Sequence, residues 1–265
     1  MLMCKFSEAN RQKLGNAVSY IAAKARYPYK TEVLKLLFLM EERMVQQAHV
    51  PFLGIPFNTW RMGPVSVDVF EELSDGPVLL DDFIVLEFNG TGIKSASKRE
   101  KSQAGLSYSE REQTRPKVKV TPKKGFCDDE FSAEELRMME AVMAEYGWMN
   151  SEQLIAETHK EGSLWRETAI ENDLMEDFEQ KRASTSNVVI DMTRGLSDED
   201  RAYYLETLNI RNSANAMRME HERRSTQGLD NERIHELVAE RAGLMELETA
   251  RENLHQMVRE VYSRP

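Results

Sequence analysis

The stretch from Thr31 to His49, TEVLKLLFLMEERMVQQAH, sets the tightest limit on how this chain can fold. Val33, Leu34, Leu37, Phe38, Met44, Val45 and Ala48 recur at helical spacing and form an apolar face broader than the stripe of a surface helix. Such a segment needs neighbours on several sides, so it predicts a central buried helix opening at Thr31. Its longest apolar run, Val33 to Met40, is interrupted by Lys35 and falls far short of the ~20 apolar residues that span a bilayer. At 265 residues and 41% hydrophobic content the chain can bury a large core, as one domain with an extension or as two small domains. The N-terminus, MLMCKFSEANRQKL, reads as no secretory signal, because an apolar segment ending in a small-residue cleavage site is missing. A cytoplasmic location and no membrane partner are expected. Cys4 and Cys127 are too far apart in sequence for a redox or zinc pair and are expected as structural thiols.

Further helices flank the central one. Ser7 is placed to cap a helix whose Leu14, Val18, Ile21 and Ala25 face inward, ending before Pro28. The prolines and glycine of VPFLGIPF make Pro51 to Trp60 a connecting segment. In NTWRMGPVSVDVFEEL, Gly63 supplies a turn and Pro64 suits the first position of a short helix that ends near Gly76. Ser132 with Glu135, and Asn150 with Gln153, have the spacing of reciprocal caps, so helices are expected from each. A further helix holding Trp165 follows Ser163. Ser197 opens another after a connector containing the β-like piece Val188 to Ile190. Between these groups lie DDFIVLEF and RPKVKVTP, short and rich in β-branched and aromatic residues, which read as two paired strands. The fold class expected is therefore mainly α with a small antiparallel β hairpin. A helical domain over residues 1–175 would hold the hairpin and a basic loop at about 89–115, and residues 176–265 would form a helical extension suited to a partner-binding arm.

The net formal charge is −10, yet Lys94 to Lys124 holds ten Lys/Arg against three Glu, so a local +7 leaves −17 on the remainder. An acidic balance argues against nucleic acid as the partner of the whole chain. A second reading nonetheless makes Lys94, Lys98, Arg99, Lys101, Arg111 and Arg115 a phosphate-binding arm.

No arrangement of residues that would carry catalysis is found. NGTG at Asn89 to Gly92 lacks the rest of a dinucleotide or phosphate-loop fingerprint and reads as a turn. The five histidines show no paired-ligand spacing, so neither a metal nor a cofactor is expected. His159, on the last turn of a helix, is expected as a cation complementing the helix C-terminus, with Trp165 filling the core nearby. The helices on either side of Gly162 have the outline of a helix-turn-helix. Glu167, Glu171 and Asp173, however, give the second a poor surface for phosphates. The chain is not expected to be an enzyme.

Taken in order, EVLKLLFLMEERM, then W-R-M-G-P-V, then a strand pair and LIAETHKEGSLW resemble the Panacea domain, also called the SocA-like or GepA-like antitoxin domain. The resemblance covers roughly Thr31 to Trp165. Trp60, Gly63, Pro64, Val65, Thr158, His159 and Trp165 carry it, with Lys35, Leu36 and Leu37 in support. It implies a mainly helical antitoxin of a bacterial or phage toxin–antitoxin system that neutralises a cognate toxin encoded nearby by direct binding, with no catalytic residues. Trp60 and the Gly63–Pro64 turn are then expected to define the fold, with Pro64 in the first turn of the short helix and the Trp60 ring beneath it. The toxin-facing surface would come from the basic loop or the C-terminal helices. A proteolytic adaptor for a bound partner is a further reading, and a homo-oligomer is compatible with either.

Overall fold

The computed structural model describes residues 8–89 and 117–217. In chain order these form α1 (Glu8–Lys24), α2 (Lys30–Ala48), β1 (Asn58–Trp60), β2 (Gly63–Val65), α3 (Val67–Asp75), β3 (Ile84–Asn89) and β4 (Lys117–Pro122). They continue with α4 (Ala133–Tyr146), α5 (Ser151–His159), α6 (Leu164–Glu171), α7 (Leu174–Glu179) and α8 (residues 198–217). The protein is mainly α, with two small antiparallel sheets, β1–β2 and β3–β4. Among the described residues no helix is long and apolar enough to cross a membrane.

α2 is the central element that its apolar face requires, touching α1, α3, α4, α5, β2 and β4. Val33, Leu34, Leu36, Leu37, Phe38, Leu39 and Met40 are all buried, so the helix is covered all round in its first three turns. It starts at Lys30 rather than Thr31, and its N-cap, Tyr29, makes no side-chain capping bond. Tyr29 is held extended instead by a bridge to Lys119 of β4, so the chain enters the helix from sheet pairing. The caps at Ser132 and Asn150 are both reciprocal capping boxes. Ser7 and the turn at Asn89 to Gly92 cannot be compared, since Ser7 and residues 90–116 lie outside the described residues.

Two buried carboxylates hold connections that carry no regular structure. Glu41, on α2, accepts hydrogen bonds from the backbone N–H groups of Phe52 (3.2 Å), Leu53 (2.7 Å) and Gly54 (3.1 Å). Glu72, on α3, does the same for Val78, Leu79 and Leu80, at 2.9 to 3.1 Å. Each carboxylate satisfies three successive backbone donors, and those of Phe52, Leu53 and Leu80 belong to buried residues that would otherwise lack partners.

The chain divides into two units, residues 1–215 and residues 216–265. The break expected at residue 175 therefore falls inside the first unit. Phe178, Ile190, Met192 and Tyr204 all belong to the buried core. Arg211 donates to the Phe52 carbonyl and to Glu135 Oε1, while Leu208 packs over Gly54. By composition residues 179–193 read as a polar connector, but the segment pairs through its backbone at Ser184, Val188 and Ile190, which composition does not reveal. The helices expected beyond Met217 lie outside the described residues.

Candidate functional site

The Trp60–Pro64 motif does not start a helix. Trp60 ends β1, and Gly63, Pro64 and Val65 form β2, paired antiparallel with Trp60 opposite Gly63 and Asn58 opposite Val65. Ser66 is the N-cap of α3, so Pro64 sits two residues ahead of that cap rather than in the first turn of the helix. Strands of three residues cannot stand alone. Here the missing support comes from far along the chain. Thr59 N–H donates to Val188 O (2.8 Å), Arg61 N–H to Ser184 O (3.0 Å), and Ile190 N–H to Phe57 O (2.8 Å). The β-like piece at Val188 to Ile190 is thus bound to the far edge of β1.

Beneath this hairpin lies Lys35, 1% exposed. Its Nζ donates to the Pro64 carbonyl at 2.8 Å. Among the described residues it forms no ion pair, and burial alone pushes its pKa down to about 7. Gly63 has φ +97°, the left-handed side that favours glycine. A Cβ there would stand 2.9 Å from Lys35 Cε, 3.0 Å from Lys35 Nζ and 2.9 Å from Thr158 Oγ1. Glycine is thus required both by conformation and by the closeness of the lysine.

α5 and α6 close the other side. Ser163 links them, its hydroxyl donating to the Thr158 carbonyl (2.7 Å) and accepting from Arg166 N–H (3.3 Å). This linkage sets the His159 ring on the Trp165 ring, with centroids 3.6 Å apart and planes 6° apart. Trp165, 2% exposed, donates its indole N–H to the Trp60 carbonyl at 2.9 Å, and its other neighbour is Phe178. The Trp60 ring itself turns to Phe70 of α3, edge to face at 4.9 Å.

His159 is not the cation expected of a helix C-terminus. Burial first, and then the positive charges of Lys35 and Arg166, lower its pKa to about 4, so the ring is neutral near pH 7. Its Nε2 is buried without a hydrogen-bond partner among the described residues. Burial and these two neighbouring charges outweigh the helix dipole, whose favourable effect on a cation is confined to the last turn.

The structure thus gathers Trp60, Gly63, Pro64, Thr158, His159 and Trp165 into one knot, in which Trp60 and His159 are half-buried and the others buried, with Val65 buried alongside on β2. Lys35 is its centre. The visible signal for it was a single lysine inside the apolar run Val33 to Met40, a position where an ammonium group must find an acceptor or lose its proton. Chemically the knot is a clamp, since the Lys35 amine is sealed from water and spent on a backbone carbonyl. Among the described residues, no group of three or more His, Cys, Asp or Glu is arranged to hold a metal ion. Lys94, Lys98, Arg99, Lys101, Arg111 and Arg115 lie outside the described residues.

The family described as "Antitoxin SocA-like, Panacea domain" matches residues 33–166. Comparisons with curated proteins and with solved structures return no match. The family match begins two residues before Lys35 and ends one residue after Trp165, so the two ends of the matched region meet in the knot. It covers just over half of the 265 residues, and the chain belongs to the SocA-like Panacea antitoxin family.

Proposed function

We propose that this protein is the antitoxin of a bacterial or phage toxin–antitoxin system, and that it neutralises a cognate toxin in the cytoplasm by direct binding, without catalysing a reaction. Membership of the Panacea antitoxin family carries this reading. The knot supports it, because the family region is built around a clamp whose one amine is buried against a carbonyl. Such a centre suits a rigid body that presents surfaces. The −17 balance outside Lys94 to Lys124 suits a basic toxin, since complementary charge speeds and orients association.

Expression of each neighbouring reading frame, alone and together with this protein, tests the reading. One neighbour is expected to stop growth alone, to be harmless in the combination, and to copurify with this chain. No toxic neighbour, or rescue of growth with no complex between the two proteins, would overturn it.

A further inference from the structure

α8 is attached to the core along one narrow stripe. Asp200, Tyr204, Leu208, Arg211 and Asn215 recur every three to four residues and so share one side of the helix. Asp200 Oδ1 meets His49 Nδ1 at 2.8 Å, Leu208 packs over Gly54, Arg211 donates to the Phe52 carbonyl and to Glu135 Oε1 (3.4 Å), and Asn215 donates to Asn10 Oδ1 (2.9 Å). Of the twenty residues of α8 only Tyr204 is buried, whereas α2 buries twelve of nineteen. The attachment is mostly polar, and polar pairs near water hold less than buried apolar surface does. An element with few buried apolar contacts is among the first to open in a folded chain.

The surface beneath is held together without α8. Glu135 accepts from Lys13 Nζ at 2.6 Å and from Ser132 N–H at 2.9 Å. Lys13 in turn lies over the Phe52 and Phe131 rings, 5.7 and 5.4 Å from their centroids. Phe52, Leu53 and Gly54 hang on Glu41 through their N–H groups. None of these bonds involves a residue of α8. His49, Phe52, Gly54 and Glu135 also lie within residues 33–166, the region matched by the family, and α8 lies beyond it. The family region therefore supplies most of the surface, and α8 is laid over it.

We propose that α8 is a displaceable strap, which opens as a unit from a surface that stays folded, and that this surface then takes an arginine of a basic partner where Arg211 had been. Arg211 itself shows the chemistry that the surface accepts. Its guanidinium reaches a backbone carbonyl and a carboxylate at once, a pairing suited to a planar fork of donors with a permanent charge. Glu135 keeps Lys13 when Arg211 leaves, so opening strands no carboxylate. The opening itself does not depend on the antitoxin reading, whereas the partner's basic character rests on it.

Hydrogen exchange of the full chain tests both parts. Amides of α8 are expected to exchange together and to be at least about a hundredfold less protected than those of Val33 to Met40, while Phe52 and Leu53, bonded to Glu41 below, keep the protection of the core. Arg211→Gln is expected to speed exchange in α8 about tenfold and to leave α2 unchanged. A synthetic peptide of residues 198–217, added at about 1 mM, competes for the vacated surface and is expected to speed exchange in α8 about tenfold; the same peptide carrying Arg211→Glu is expected to have no effect. Exchange of α8 only together with α2, or of Phe52 and Leu53 together with α8, would overturn the strap. An α8 that opens but responds to neither peptide, or equally to both, would overturn the arginine-accepting surface. Each of these results leaves the growth test of the antitoxin reading standing on its own.

Discussion

Gly63→Ala is expected to cost about 3 kcal/mol of stability, as two independent penalties add. A Cβ at φ +97° meets the backbone crowding that costs an L-residue about 1–2 kcal/mol on the left-handed side. Overpacking a filled interior adds about 1–3 kcal/mol, and here the new methyl group would press on Lys35 Cε and Thr158 Oγ1, both 2.9 Å away. Neither can step aside cheaply, for Lys35 is tied to the Pro64 carbonyl and Thr158 Oγ1 donates to Ile155 O. Gly162→Ala separates the two penalties. Gly162 has φ +77°, and nothing lies within 4 Å of where its Cβ would go, so only the backbone term applies. Urea unfolding of both variants at pH 7 is expected to show Gly63→Ala losing two to three times as much as Gly162→Ala. Equal losses would mean that the lysine and threonine do not crowd the hairpin.

Lys35→Met is expected to make the protein more stable than wild type at pH 7 and less stable at pH 10. Unfolded, Lys35 holds its proton up to its ordinary value of 10.5; folded, it gives it up near 7. Between those values the unfolded chain binds more protons, so stability rises with pH, and below pH 7 this group contributes no further slope. Across the window the effect amounts to about 5 kcal/mol. Methionine fills similar space without an ionisable group, but it leaves the buried Pro64 carbonyl without its donor, a cost of about 1–3 kcal/mol. At pH 7 the variant gains more than it loses, and at pH 10 only the loss remains. Lys13, also lowered by burial, tilts both proteins the same way and cancels in the difference. Tyr20, Tyr146 and Tyr204, raised by burial, lower stability above pH 10 in both. His159, lowered to about 4, loses stability as pH falls below 6.5, and Glu42, raised to about 7, loses it as pH rises above 4.5. Those two act below pH 7 and oppose each other. Chemical denaturation across pH 7 to 10 checks the expected crossing, and parallel curves for the two proteins would contradict it.

What was legible in advance follows the range of the interactions. The capping boxes at Ser132 and Asn150 need partners three residues apart and were readable from spacing alone. The buried face of α2 was readable because one helix carries it. β1 and β2 were not, since each has three residues and leans on Ser184 to Ile190, more than a hundred residues downstream. Pro64 fits a first helical turn by local rules, and the downstream pairing overrides them. His159 was misjudged for the same reason. Its position at a helix end is visible in sequence, whereas the Trp165 ring that strips it of water is a tertiary fact. Lys35 stood in plain view within an apolar run, but its acceptor, the Pro64 carbonyl, became identifiable only once the hairpin was seen to fold over α2. α8 fell within the expected extension because it follows a polar connector beyond the reach of the resemblance; its inward residues Tyr204, Leu208 and Arg211 attach it to the first unit.

Neutralisation by binding, rather than by chemistry, is most directly tested by titrating the purified toxin identified through growth rescue with this protein and recording residual toxin activity. The account predicts a linear loss ending at a fixed stoichiometric ratio, with the endpoint scaling with toxin concentration and the complex isolable there. Complete inactivation of toxin by a small fraction of an equivalent, progressing with time, would contradict it and would identify an enzyme.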